Sequence, residues 1–404
     1  MMMTMESPDN VFTVLVMALM GGVAALIEAS GAVTAFTKLG EQYAGDRKKV
    51  MYFSIGVMAA TAVDDGLNLL CSASATGPTA EKTGIPREFL SLPFSLLPTV
   101  LSSFIPLSLW GIFVFGTLNV SAGERSIRLF LRSIPFNFYS IIVLIFMLLF
   151  AEGKLPLTKK LKAAEERVKN GGTLWPVGSE SFLSTNDSEI WGKPRNVLIP
   201  LVFLAVASLT SRSLHEGRVT LDSAVGLVAT VLFMLLFYCW QKLMSPEQFT
   251  EILLRGFADT TVPIVLYLLT ICFSTLLSQL SLDNWFENAA VFVGEAAPLF
   301  PAGVFLLCLL TTILLGSSWA TYAIVFPIVL RLAAALGANP ALCIGAASAA
   351  GIAGEHCCMF TAGALTVGTL IGCNPDEVLN IRIRWSVIIS SIAFLLYAAA
   401  GFLF

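Results

Sequence analysis

Charge is scarce in this sequence: Asp, Glu, Lys and Arg make up 13% of its 404 residues, against 56% hydrophobic residues and a mean hydropathy of +0.81. A soluble core cannot take up that much apolar surface. Apolar runs of about 20 residues, the length of a spanning helix, recur along nearly the whole chain, which reads as an all-α, polytopic membrane protein. Nucleic-acid binding is excluded by the same composition, and the net charge of -3 is spread over many short loops. Histidine is scarcer still, with His215 and His356 alone. Zinc sites space their donors by two to four residues, so the adjacent Glu355, His356, Cys357 and Cys358 do not form one. An intramembrane metalloenzyme would need a second, spaced histidine, and His215 lies in a polar loop. The chain is therefore not read as an enzyme, and no cofactor is implied. The first ten residues hold Glu6 and Asp9 but no Lys or Arg, so the first apolar run reads as a mature span, not a secretory leader. The eight cysteines lie in or beside apolar runs as small buried hydrophobes and imply no disulfide framework.

Against this apolar background two interruptions stand out, Asp64-Asp65-Gly66-Leu67-Asn68 and Gly316-Ser317-Ser318-Trp319-Ala320-Thr321. Carboxylates at membrane depth are costly and mark an ion or proton path, and irregular backbone survives there where it lines a cavity. The coarse spans are 11–29, 50–80, 89–120, 136–151, 196–211, 219–243, 258–280, 299–336, 341–372 and 384–404. Four of them are broken, at the Asp pair, at 102–108, at 316–321 and at 351–357. A shift of 252 residues lays Asp64 on Gly316 and Gly116-Thr117-Leu118 on Gly368-Thr369-Leu370. Corresponding broken segments in two halves point to a transporter with its site at the repeat interface.

The predicted division is a first repeat over 1–151, a linker over 152–194 and a second repeat over 195–404. The first repeat lacks counterparts of the spans 196–211 and 219–243, as though two helices were missing from its start. The cation-rich loops at 38–49, 154–169, 242–255 and 382–384 are assigned inside; the 281–298 loop, with Asp283, Glu287 and Glu295, is assigned outside. That assignment requires the halves to be inverted, with 50–80 and 302–337 as re-entrant hairpins. Arg125, Arg128 and Arg132 then fall outside, against the rule. The linker is read as a solvated cytoplasmic segment, with an interfacial helix over 159–167 as the other reading.

Two carboxylates in apolar surroundings cannot both stay ionised cheaply, so one of Asp64 and Asp65 becomes a proton carrier that a sodium ion can replace. The bland reading is an N-cap for the helix that follows. Asn68 offers a carbonyl oxygen to a hard cation or ties the hairpin tip together. Ser317, Ser318 and Thr321 offer hydroxyls and free backbone groups at a break, or simply let helices approach closely. Glu355 and His356 form a proton site or pH sensor, or His356 is a packing residue. Glu28 lines the pathway or reaches the interface, the latter being the preferred reading, and Trp110 and Trp319 read as packing residues near the breaks.

At these residues the chain resembles the NhaC-type sodium/proton antiporter family. Gly21-Gly22 through Ser30-Gly31, Asp64 to Asn68, Pro106-Leu107-Ser108-Leu109-Trp110, Gly316 to Thr321 and Gly354-Glu355-His356-Cys357 are similar to that family's motifs, in order. The resemblance implies inverted repeats, each with a re-entrant hairpin and an interrupted transmembrane helix, and elevator-like movement. It implies Na+/H+ antiport, with a small organic anion as a further substrate, and a homodimer in membrane lipid, multi-pass in the bacterial inner membrane. Ser108 joins the site by this route. The sequence departs from the family pattern at Gly66, where an aromatic is expected, at Glu355, where Asp is expected, and in lacking further acids near Leu96 and Ala362-Gly363. The alternatives are an organic-acid or amino-acid exchanger and a membrane sensor or scaffold.

Overall fold

The computed structural model describes residues 8–122, 126–176, 192–214, 219–280, 287–288, 291–358 and 360–404. Arg125, His215 and Asp283 lie outside them. All regular structure among the described residues is helical. Seven helices are long and apolar enough to cross a membrane, or eight if the bent pair 126–136 and 138–151 is one span.

Helix α1 (Pro8–Ile27) runs into a five-residue π turn, Glu28–Ala32, in which Gly31 takes φ 88°, a conformation that favours glycine. The first hairpin follows as α2 (Arg47–Ala60) and α3 (Asp65–Thr83). Between them Asp64 is extended and its carboxylate accepts from the Leu67 amide at 2.8 Å, which starts α3; Gly84, left-handed, ends it. Both arms begin and finish at one end of the bundle, since the Gly45 amide donates to Thr83 Oγ1 at 2.9 Å and Lys82 pairs with Glu41 at 2.7 Å. Next come α4 (Glu88–Ser102), α5 (Leu109–Ala122), α6 (Ser126–Ser133) and α7 (Phe138–Ala151). After the linker helix α8 (Lys159–Lys169) the second half opens with α9 (Pro194–Leu214), α10 (Val219–Trp240), α11 (Pro246–Asp259) and α12 (Thr261–Gln279). It closes with a second hairpin, α13 (Phe300–Leu315) and α14 (Ser318–Leu336), then α15 (Pro340–Cys357), α16 (Ala362–Ile371) and α17 (Pro375–Ala400).

The same order of break and helix thus occurs twice, and the capping residues set its register. A shift of 253 residues carries the N-cap Asp64 onto the N-cap Ser317, the 19 residues of α3 onto the 19 of α14, and Gly84 onto the left-handed Gly337. It also carries Ser108, which accepts from the Gly111 amide, onto Thr361, which accepts from the Ala364 amide. This is one residue more than the 252 suggested by sequence identities. Those identities lie within helices, whereas a cap must meet a particular amide and so marks the true register.

Helix α7 shows how the hairpins are arranged. Beyond its C-terminal end, Glu152 accepts from Lys48 Nζ at 3.1 Å and Tyr52 hydroxyl at 2.7 Å, both at the base of the first hairpin. At its N-terminal end, the Phe138 amide meets the Tyr397 hydroxyl at 3.2 Å, and the Tyr397 ring lies 5.2 Å from that of Phe305, near the base of the second. The hairpins enter from opposite ends of the bundle. Close packing of α15 against the second hairpin depends on small residues: α15 is buried from Ala341 through Gly354, and a Cβ on Gly351 would fall 2.3 Å from the Tyr322 hydroxyl.

Residues 158–174 of the linker pack on the bundle, where a solvated segment is the expectation from sequence. Thr158 caps α8, Leu161 and Ala164 are buried, and Arg167 binds Glu88 at the start of α4 through both guanidinium arms, at 2.7 and 2.9 Å. Glu165 pairs with Arg47 at 2.7 Å, and Leu174 O accepts from the Arg87 amide at 2.9 Å. The charged run is one face of an amphipathic helix clamped on the base of the first hairpin.

Candidate functional site

The tip of each hairpin is a helix N-terminus, and each supplies its own acceptor. Asp64 serves the amide of Leu67, and Ser317 serves that of Ala320 at 3.3 Å. The carboxylate of Asp64 is therefore turned into the helix it caps. Asp64 thus has a capping role of its own within the sodium site expected from sequence at Asp64, Asp65 and Asn68. No group of three or more His, Cys, Asp and Glu side chains converges among the described residues.

Asp65 points the other way, towards the hydroxyls of Ser102 and Thr99 on α4 and within electrostatic range of Glu355. No bond of hydrogen-bonding geometry closes there: Asp65 Oδ1 and Ser102 Oγ are both buried without a partner. One turn along the same face of α3, Asn68 is fully buried; its Nδ2 donates to Met58 O at 2.6 Å, and its Oδ1 is unpartnered as well. In the second half Glu355, at the end of α15, accepts from the Ser318 amide at 2.8 Å, while Ser318 Oγ lacks a partner. The shift of 253 residues relates these two arrangements. It carries Asp65 onto Ser318 and Ser102 onto Glu355. Each hairpin tip thus meets the break of the next helix through one carboxylate and one hydroxyl, with the acid on the tip in the first half and behind it in the second.

The halves also touch directly. Trp110, at the start of α5, stands edge-on to Tyr322 at 5.6 Å, and Trp319 packs on Phe113 at 4.6 Å. The Leu109 amide donates to Val63 O at 2.9 Å, tying the first tip to the break before α5.

The other residues read from sequence fall in structural places. Ser108 Oγ bonds Ser102 O and Ile105 O at 2.8 Å each besides capping α5. Thr321 Oγ1 bonds Ser317 O at 3.0 Å and accepts from Thr312 at 2.9 Å, fastening the second tip. His356, next to Glu355 on α15, faces away from the tips, with Nδ1 2.9 Å from the Tyr139 hydroxyl on α7.

Two features, Ser102 and Arg382, were missed in the sequence, and a third, Glu28, was weighed towards the interface. Ser102 was read as punctuation, although the cap register pairs it with Glu355. Glu28, exposed at the π turn after α1, lies within electrostatic range of Arg255, Asp64 and Asp259, as a residue near the first tip would. Arg382 is 2% exposed and its Nη2 donates to Cys358 O at 2.7 Å and Glu355 O at 3.2 Å, a fixed cation closing the C-terminal end of α15.

Known proteins resemble this chain along nearly its whole length. The model of the Na+/H+ antiporter family matches residues 99–402. An uncharacterised protein of Haemophilus influenzae is 19% identical over 430 residues, covering 98% of this chain and 80% of that one. Among solved structures, Neisseria gonorrhoeae MtrF, reported as illuminating a class of antimetabolite efflux pumps, superposes with a TM-score of 0.52 at 13% identity, covering 96% of this chain and 80% of that one. The Alcanivorax borkumensis YdaH transporter, reported to have an unusual topology, gives 0.48 at 14% identity, covering 96% of this chain and 84% of that one. The likeness to MtrF is one of fold.

Proposed function

This chain belongs to the Na+/H+ antiporter family, and on that premise we propose that it exchanges Na+ for H+ through the oxygen atoms held between the two hairpin tips. It is a multi-pass membrane transporter and not an enzyme. The observation that carries the finer reading is the set of buried, unpartnered oxygens Asp65 Oδ1, Asn68 Oδ1, Ser102 Oγ and Ser318 Oγ beside Asp65 and Glu355. A buried acceptor without a partner costs on the order of 1–3 kcal/mol, so an arrangement with several is poised for something that satisfies them. A small hard cation takes carboxylate, carbonyl and hydroxyl oxygens, the three kinds present. A proton on Asp65 satisfies the same carboxylate without the cation. The two occupants exclude one another, which is antiport at its simplest.

Asp65, Asn68 and Ser102 form the first half of this proposed site and Ser318 with Glu355 the second, the cation drawing the tips together. Asp64, Ser108, Ser317 and Thr321 hold the tips in shape, and His356 with Tyr139 braces α15. A transported organic anion would compete for helix N-termini that the protein's own groups already serve: Asp64 at one tip, Ser317 and Glu355 at the other. This favours cation exchange over the anion-exchanger reading, although MtrF is reported in a class of antimetabolite efflux pumps. The bacterial inner membrane and a homodimer belong to the same reading.

The test is a pH-gradient assay in proteoliposomes with Na+, K+ and Li+. We expect Na+ to dissipate an imposed proton gradient, and Asp65→Asn and Glu355→Gln each to abolish that response while the purified protein stays folded. Wild-type protein that responds to none of these cations, or an Asp65→Asn variant with unchanged Na+ affinity, would overturn the reading.

A further inference from the structure

A basic groove lies at the other side of the second half, where the first turn of α9 meets the last turn of α10. Its volume is about 660 Å³ and its polar wall is made by Lys193, Arg195 and Asn196. Arg195 is anchored on the groove wall by Gln241, whose Oε1 accepts from Nη2 at 2.9 Å. Lys193 and the neighbouring Lys242 enter no ion pair among the described residues, and Lys242 is the one described non-glycine residue with positive φ, at 56°. Asn196 is 2% exposed and its Oδ1 has no partner, although the Tyr238 hydroxyl pins its backbone carbonyl at 2.7 Å. Much of the remaining lining is apolar: Ile199, 39% exposed, Trp240, 81% exposed, and Phe237. The Gly192 amide bonds Thr34 Oγ1 at 3.0 Å, which fixes the start of α9 to the segment after α1.

A ligand for this groove must bring negative charge to the cations, a hydrogen-bond donor to the Asn196 oxygen and hydrocarbon to the apolar lining. We propose that the groove binds an anionic glycerophospholipid with a hydroxylated headgroup, of the phosphatidylglycerol type. The phosphate meets Lys193 and Arg195, a headgroup hydroxyl donates to Asn196, and the acyl chains lie along Ile199 and Phe237. Trp240 sits where an amphipathic ring marks the membrane interface. A basic pocket between spanning helices is suited to such headgroups, because near-surface cations and the anionic leaflet attract one another. The lipid contacts use none of the residues of the proposed ion site, so occupancy of the groove does not depend on which ion is carried.

The experiment is native mass spectrometry of the purified full chain in detergent, titrated separately with phosphatidylglycerol, phosphatidylmethanol, phosphatidylcholine and inorganic phosphate. Phosphatidylmethanol carries the same charge but no headgroup donor. We expect retention in the order phosphatidylglycerol, phosphatidylmethanol, phosphatidylcholine, with no competition from inorganic phosphate. The double variant Lys193→Gln, Arg195→Gln should lower retention of the first lipid about 25-fold, taking about fivefold for each cation, and Asn196→Leu should remove its advantage over phosphatidylmethanol. If Asn196→Leu does not fold, the comparison of lipids on the wild type stands in its place. Equal retention of phosphatidylcholine, displacement by inorganic phosphate, or a dimer that closes the groove and holds no lipid would each overturn the proposal.

Discussion

At the scale of single residues, two adjacent carboxylates have opposite surroundings and should answer mutation differently. Asp64 is committed to the Leu67 amide as an N-cap, whereas Asp65 Oδ1 has no partner. Asn caps a helix about as well as Asp, so Asp64→Asn should keep both fold and exchange, while Asp64→Ala should cost about 1 kcal/mol in a thermal or denaturant melt. Asp65→Asn should leave the melting temperature equal or higher, since a costly charge is removed, yet abolish Na+-dependent proton movement. A matched loss of stability and transport in Asp65→Asn would show that this residue, too, is structural. The Asp pair was conspicuous in the sequence because charge is rare there. Which member was free was not legible, since that depends on where the chain turns at Thr61–Asp64 and not on residue type.

At the scale of elements, the breaks were readable and their partners were not. Asp64, Gly84, Gly316 and Ser317 carry the chemistry that stops and starts helices, so the interruptions at the two tips fell where the sequence placed them. Ser102 and Glu355 each meet a tip residue 37 positions away, and a serine in an apolar run gives no sign that it faces an acid. The docking of α8 was hidden for the same reason, since Glu165 and Arg47 are 118 residues apart. Ion pairs near that docked base should make it sensitive to acid. The Tyr52 hydroxyl, then Lys48, hold the Glu152 carboxylate below its ordinary value of 4.5. A carboxylate lowered in this way contributes its full stabilisation above that ordinary value and loses it as pH falls through the lowered one. Hydrogen exchange at residues 47–52, corrected for intrinsic rates, should therefore accelerate as pH drops below about 4.5, and Glu152→Gln should remove the step. The end of α15 is secured differently, by Arg382 donating to two carbonyls. Arg382→Met should destabilise the protein by on the order of 1–3 kcal/mol, since Cys358 O loses this partner while Glu355 O keeps the Cys358 amide.

At the scale of the whole molecule, the inverted arrangement would make the proposed cage depend on two hairpins that enter from opposite ends. Gly45 with Thr83 marks the base of the first, and the Tyr397 contact with Phe305 lies near the base of the second. An ion bridging Asp65 and Glu355 would be held by both tips, and withdrawal of either hairpin would open the cage towards the end from which that hairpin enters. The sequence pointed to this through loop charge, but it could not supply the contacts at both ends of α7 that fix it. Sidedness of labelling gives a direct measurement. Single cysteines at Lys49 and Lys82 should react with a membrane-impermeant maleimide from one face, and those at Leu299 and Ala335 from the other. All four positions are exposed, while the native cysteines are buried or half-buried and give a low background. Should Lys49→Cys and Lys82→Cys label from opposite faces, the first hairpin would be a full crossing, and the two acid-hydroxyl pairs could no longer serve access from opposite sides of the membrane.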